Sequence, residues 1–159
     1  MSKSLARVCA ALDAAGVVVE LREMQNETRT AQAAAWAAGC GVAAIVKSIL
    51  FQGESGQLYL FLTAGDNQVD VARASALAGE ALGRADPQIV RKVTGFAIGG
   101  VAPLGHLTAL PAWMEQGLAG QAVVWAAAGT PRHIFAIAPA HLLALTGAIQ
   151  ADFAAKGKE

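Results

Sequence analysis

The chain has 159 residues, 55% hydrophobic and 15% charged, with 12 basic and 12 acidic side chains balancing to a formal net charge of zero. That composition predicts one packed domain over 1–159 and excludes a disordered chain. It also excludes a globally basic nucleic-acid binder, so any RNA-contacting surface must be local.

In chain order, Leu5, Val8, Cys9 and Leu12 recur at helical spacing over 4–15, with Ser4 as cap and Gly16 as stop. Residues 17–21 read as a strand. Thr28 or Thr30 caps a second helix through Trp36, ended by Gly39 and Gly41. Residues 43–51 form an apolar strand, residues 52–56 a turn, and Leu58 to Thr63 the returning strand of a hairpin. A helix over 69–77 follows, then a short helix from Asp86-Pro87 through Lys92, with Pro at its first helical position.

Residues 94–106 cannot continue as helix or central strand. Gly99, Gly100 and Gly105 permit left-handed backbone and close approach, while Pro103 fixes φ and removes a donor. The segment reads as a shaped loop that rims a pocket and presents N–H groups, or as a plain tight connection between buried elements. Leu107 to Leu110 then reads as a short strand and Pro111 to Leu118 as a short helix. Strands over 121–126 and 133–138 and a closing helix over 139–146 complete the domain, with a frayed tail from Lys156. Hairpins interspersed with helices, without a βαβ rhythm, predict an α+β fold with a curved mixed sheet surrounded by helices.

Lys47 is the sharpest single residue. Period two puts it on one strand face with Ile45 and Ile49, and Ser48 on the other with Val46 and Leu50. Because an unpaired ammonium is costly to desolvate, Lys47 either points into a polar pocket or sits solvated on an edge strand. Asp66, between a strand and a helix, is an N-cap or Asx-turn residue, or a contact for a ligand amine. Thr130 beside Gly129 offers a hydroxyl to a pocket or serves a turn. Among the histidines His106, closing the glycine loop, has the better claim to a site; His133 and His141 read as structural. Cys9 and Cys40 have no partner at metal-ligand spacing, so no metal or other cofactor is expected. No nucleophile elbow, zinc-protease motif or phosphate-binding loop is present. No secretory leader or bilayer-length apolar run is read, so a cytoplasmic protein with no membrane partner is expected.

Lys47-Ser48, the segment from Leu62 to Asp66, Gly99 to Gly105, Gly129-Thr130-Pro131 and Ala138 to Leu143, in that order, resemble the YbaK/ProX family. These are free-standing aminoacyl-tRNA deacylases related to the editing domain of prolyl-tRNA synthetase. The resemblance runs from Val17 through Gly147. It implies a YbaK-like domain that hydrolyses the ester of a small amino acid mischarged on a proline tRNA. Aminoacyl-tRNA is then the partner, with an aminoacyl-tRNA synthetase a further candidate.

Together with the residue reading, the resemblance puts Lys47 and Gly100 at the catalytic centre. Ser48, Thr63, Asp66, Gly99, Val101, Gly105, His106, Gly129 and Thr130 are the expected substrate-binding residues. An activated ester needs positioning and oxyanion stabilisation more than a strong nucleophile, which accords with the missing triad. The attacking group is either water or a group of the substrate. The alternative from another class is a non-catalytic tRNA- or synthetase-binding module of the same fold, and a third is a small-molecule hydrolase. Cysteine, alanine, serine and threonine all stay open as the amino acid removed, as does the oligomeric state. A local basic patch from Arg73, Arg84, Arg91 and Lys92 is the expected RNA footprint.

Overall fold

A computed structural model describes residues 2–156. The expected frayed tail lies outside the described residues, apart from Lys156, which ends a strand. Helix α1 (Lys3–Ala14) packs Leu5, Val8 and Leu12 inward and is capped by Ser2, not Ser4. Strand β1 is Glu20–Glu23 and begins later than expected. The preceding Val17 and Val19 pack on the core as loop residues, while Val18 points to solvent. Helix α2 (Ala31–Ala38) starts at the Thr30 cap and ends at the left-handed Gly39.

Strand β2 (Ile45–Gly53) and strand β3 (Leu58–Ala64) pair antiparallel, with Lys47 opposite Thr63. A two-residue turn, Gly65-Asp66, leads to β4 (Asn67–Val69), and α3 (Val71–Ala78) follows. Asp70 caps α3 by accepting from the Ala72 and Arg73 amides. Asp66 therefore does not cap that helix, because three strand residues intervene. Next come β5 (Leu82–Arg84) and α4 (Pro87–Thr94), capped by Asp86 with proline in its first turn. The expected helix at 111–118 is instead β6 (Ala112–Glu115) and a 3-10 turn. All four β6 residues are buried, and pairing them beside β3 satisfies a backbone that a short helix would leave exposed at its ends. The expected strand at 107–110 is loop. Strands β7 (Val124–Ala127) and β8 (His133–Ile137), helix α5 (Pro139–Thr146), and short strands β9 (Ile149–Ala151) and β10 (Ala154–Lys156) complete the chain.

The main sheet runs β1-β8-β7-β2-β3-β6-β9, with β5 also on β2, while β10 and β4 form a separate pair. Pairings β2/β7, β3/β6 and β6/β9 are parallel and the others antiparallel, so the sheet is mixed, as the element order predicted. Five helices accompany it, giving the expected α+β fold. The large core holds Leu58, Leu60 and Leu62 of β3 with α1, Val90 and Leu142. Two smaller clusters lie on the alternate residues. One joins Ile45, Trp125 and Ile134 to α2. The other joins Tyr59, Phe61, Trp113 and Phe153, with Ile49 and Phe51 alongside. Lys47 belongs to the same strand face as Ile45 and Ile49, so it stands at the seam between those two apolar clusters.

Candidate active site

The sheet opens along β2. On the side away from β3, β2 pairs with β7 only at Ile45 and Val46, and with β5 only from Phe51 to Gly53. Residues 47–50 have no strand on that side among the described residues. The Ile45 carbonyl accepts from Gly65 N at 2.8 Å, so odd residues turn their main chain toward β3 and even ones away. Ser48 and Leu50 therefore present backbone N–H and C=O to the gap.

A cavity of about 220 Å³ occupies this gap, lined by both faces of β2 together with Arg29, Ala34, Gly99, Val101 and Trp125. At roughly 30 Å³ per water volume it takes about seven water-sized groups.

Lys47 is half-buried on the cavity wall. Its ammonium donates to the Asn67 carbonyl and forms no ion pair among the described residues. One of three donors is thus used and the others are free for a ligand. Burial lowers its pKa below the ordinary lysine value, and the negative charges of Glu115 and Asp66 partly offset that.

The glycine loop supplies the opposite wall. Gly95, Gly99 and Gly105 are its left-handed residues, at φ +82°, +85° and +80°. Gly100 is not left-handed, and its amide closes a turn onto the Ala97 carbonyl at 2.9 Å. The Gly100 amide is thus committed within the loop, while its neighbours Gly99 and Val101 reach the cavity. Several loop amides have no acceptor among the described residues, those of Ala97, Ile98, Gly99, Val101 and Ala102 among them, and of these residues Gly99 and Val101 line the cavity.

The remaining expected site residues divide clearly. Ser48 lines the cavity. Asp66 is exposed in the turn beside the Lys47 ammonium and acts on it through charge. Thr63 is fully buried, donates to the Phe61 carbonyl at 3.1 Å and is not part of the cavity lining. Gly105 packs on α1, where an added Cβ would lie 3.2 Å from the Arg7 carbonyl oxygen. His106 is away from the cavity: its Nε2 lies 2.7 Å from the Ala102 carbonyl, and its ring meets Phe96 edge-on. Burial lowers its pKa, opposed by that hydrogen bond. Gly129, at φ +95°, is wedged against Ser4 and Phe96. Thr130 lies in a separate surface depression and pairs with His133 Nδ1 at 2.6 Å. The Gly129-Thr130-Pro131 turn nevertheless serves the site at one remove. The Pro131 carbonyl accepts from Thr28 N at 2.6 Å and Thr28 Oγ1 at 3.1 Å, which fixes the segment carrying Arg29 at the cavity mouth.

Sequence reasoning missed Arg29, Trp125, Asn67 and Glu115. The first two needed the β2/β7 pairing to be known. Glu115 had a usable signal, a carboxylate ending the apolar run Ala-Trp-Met, but a helix was expected there.

The family model for the aminoacyl-tRNA editing domain matches residues 25–145. A solved structure described as "a putative trans-editing enzyme for prolyl tRNA synthetase" is 48% identical, covers 99% of each chain and superposes with a TM-score of 0.90. A second, from work on epitope backbone grafting by computational design onto scaffold proteins, is 44% identical over 100% of each chain, also with a TM-score of 0.90. The Bacillus subtilis (strain 168) protein YwhH, described as uncharacterized, is 28% identical over 123 residues, which are 77% of this chain and 78% of that one.

Proposed function

The chain belongs to the aminoacyl-tRNA editing domain family, whose chemistry is deacylation, and from that premise we propose that it removes a small amino acid wrongly attached to proline tRNA, acting in trans. The observation that supports this most is the cavity in the β2 gap, which is lined both by Lys47, with donors to spare, and by Gly99 and Val101, whose amides have no protein acceptor among the described residues. The aminoacyl group enters the gap. Gly99 and Val101 N–H receive the ester carbonyl as it becomes an oxyanion, the term worth most in acyl transfer. Lys47 draws a lone-pair oxygen of the substrate to its free donors and fixes the ester against those amides. Water, or a side-chain hydroxyl or thiol of the aminoacyl group itself, attacks the carbonyl. The ester C–O bond breaks, the amino acid leaves as the free acid or as its cyclic ester or thioester, and the proton lost by the attacking group passes to the leaving oxygen of the tRNA. Ala31, Ala34, Ile45, Trp125 and Ile134 form an apolar wall that limits side-chain size.

No helix among the described residues is long and apolar enough to cross a membrane. We propose a cytoplasmic location, with aminoacyl-tRNA as partner and a synthetase as a second. Proline tRNA charged separately with alanine, cysteine, serine and threonine tests the reading. The wild type releases at least one faster than spontaneous hydrolysis, and Lys47→Ala releases none. A wild type inactive on every one of these refutes the hydrolase and leaves the binding-module reading, which a tRNA-binding titration of the same protein then checks.

A further inference from the structure

We infer that Glu115 is a positioning residue of this site, which acts through Asn67 to hold the Lys47 ammonium at the cavity wall. Glu115 ends β6 and is only 6% exposed, a burial rarely given to a carboxylate without a specific partner set. Its Oε2 accepts from Ala64 N at 2.7 Å and its Oε1 from Asn67 Nδ2. Ala64 ends β3 and Asn67 opens β4, so one carboxylate grips both sides of the Gly65-Asp66 turn. The carbonyl of that same Asn67 is the acceptor of the Lys47 ammonium. Glu115, Asn67 and Lys47 thus form one chain of contacts from a buried strand end to the cavity.

A neutral amide keeps one acceptor for Ala64 N and puts a donor at the other position, which Asn67 meets once its own amide turns over to present its oxygen. What the carboxylate adds is charge beside an ammonium that burial disfavours. The charged groups facing Lys47 are Glu115 from β6, Asp66 from the turn, and Arg29 across the cavity; Thr63 opposite is neutral. Of the two carboxylates only Glu115 is shielded from solvent, so its influence survives added salt.

The inference rests on the deacylase reading only for its kinetic arm. In the test, the Lys47 Cε resonance is followed by carbon NMR against pH in the free protein, for wild type and Glu115→Gln. Deacylation is profiled over the same pH range. Loss of the charge moves the Lys47 midpoint about one pH unit lower, with a matching tenfold loss on the alkaline limb of the rate. An unmoved midpoint in folded protein overturns the inference, whatever happens to the melting temperature. A moved midpoint in a protein that deacylates nothing upholds the positioning role and refutes the proposed function instead. Should Glu115→Gln fail to fold, Asn67→Ala takes its place. It keeps both charges but cuts the link, and is expected to lower kcat about tenfold with KM and the alkaline limb in place. Unchanged kcat in that variant overturns the inference.

Discussion

Replacing Gly99 and Gly100 by alanine, one at a time, separates backbone strain from active-site geometry. At Gly99 an added Cβ meets no atom within 4 Å, so the free protein suffers only from φ +85°. Left-handed backbone costs a non-glycine residue about 1–2 kcal/mol. In a chain of this size that lowers the melting temperature by about 2–8 °C. At Gly100 the φ is ordinary and the Cβ would lie 3.6 Å from the Ala97 carbonyl oxygen, a normal contact. Gly100→Ala is therefore neutral, or stabilises by up to about 1 kcal/mol through the unfolded chain. The kinetic expectation runs the same way. Relaxing residue 99 toward negative φ swings the 99 and 101 amides away from the cavity, and losing an oxyanion donor costs about 100- to 1,000-fold in rate. The assay is single-turnover deacylation of precharged tRNA at a temperature where both variants are fully folded. Gly99→Ala should lose at least 100-fold, equal to about 2.7 kcal/mol, with every amino acid the wild type removes. Gly100→Ala should lose much less. Wild-type rates in Gly99→Ala refute this assignment of the donors, and a selective loss in Gly100→Ala returns the donor to Gly100.

Lys47→Met tests the cost of the half-buried ammonium. With its folded pKa below the unfolded 10.5, the native state holds fewer protons between the two values, and stability gains from rising pH in that window. The lysine therefore opposes folding at neutral pH, so Lys47→Met should melt no lower than wild type at pH 7 while losing deacylation; the wild-type rate should fall on the alkaline side below pH 10.5. Gly129→Ala combines φ +95° with a Cβ 2.9 Å from the Ser4 carbonyl oxygen and 3.0 Å from Phe96. Strain and overpacking together give about 2–5 kcal/mol of destabilisation by chemical denaturation, with normal rates in whatever fraction folds. Tyr59→Phe removes the first cause of the lowered Glu80 pKa, ahead of the Ser55 amide and hydroxyl. Glu80 should then titrate nearer 4.5 by carboxyl NMR, and the hold of Glu80 on the hairpin turn, present above that value and lost as pH falls through the folded one, should fade at higher pH.

Legibility in the sequence followed the range of the contacts. Helices α1, α2, α4 and α5 were readable because apolar spacing and caps are local, and the β2–β3 hairpin because its turn and both runs are contiguous. Residues 111–118 misled because Pro111 resembles a helix start, and only pairing with β3 shows that Trp113 and Met114 belong to a strand. Strands of three residues such as β5 and β9 carry too little pattern to stand out. At the site, Lys47 was visible as a charge in an apolar strand. The loop was visible as glycine and proline, but which amide is free depends on the turn at Ala97 and is not written in residue type. His106 and Thr130 looked equally plausible until long-range packing turned them elsewhere.

The cavity draws its apolar lining from both cores: Ala31, Ala34, Ile45, Trp125 and Ile134 belong to the small cluster around α2, and Val46, Val101 and Ala126 to the large one. Trp125 and Ile134 are buried, so truncating either costs the domain a few kcal/mol, whereas Ala31 and Ala34 on α2 already carry the smallest side chains of that wall. Pocket size therefore changes with the least structural cost at the two α2 alanines. The amino-acid preference of the proposed deacylase is then set most readily at Ala31 and Ala34, and related proteins of the same fold that take a different amino acid should differ at those two positions before they differ near the ester.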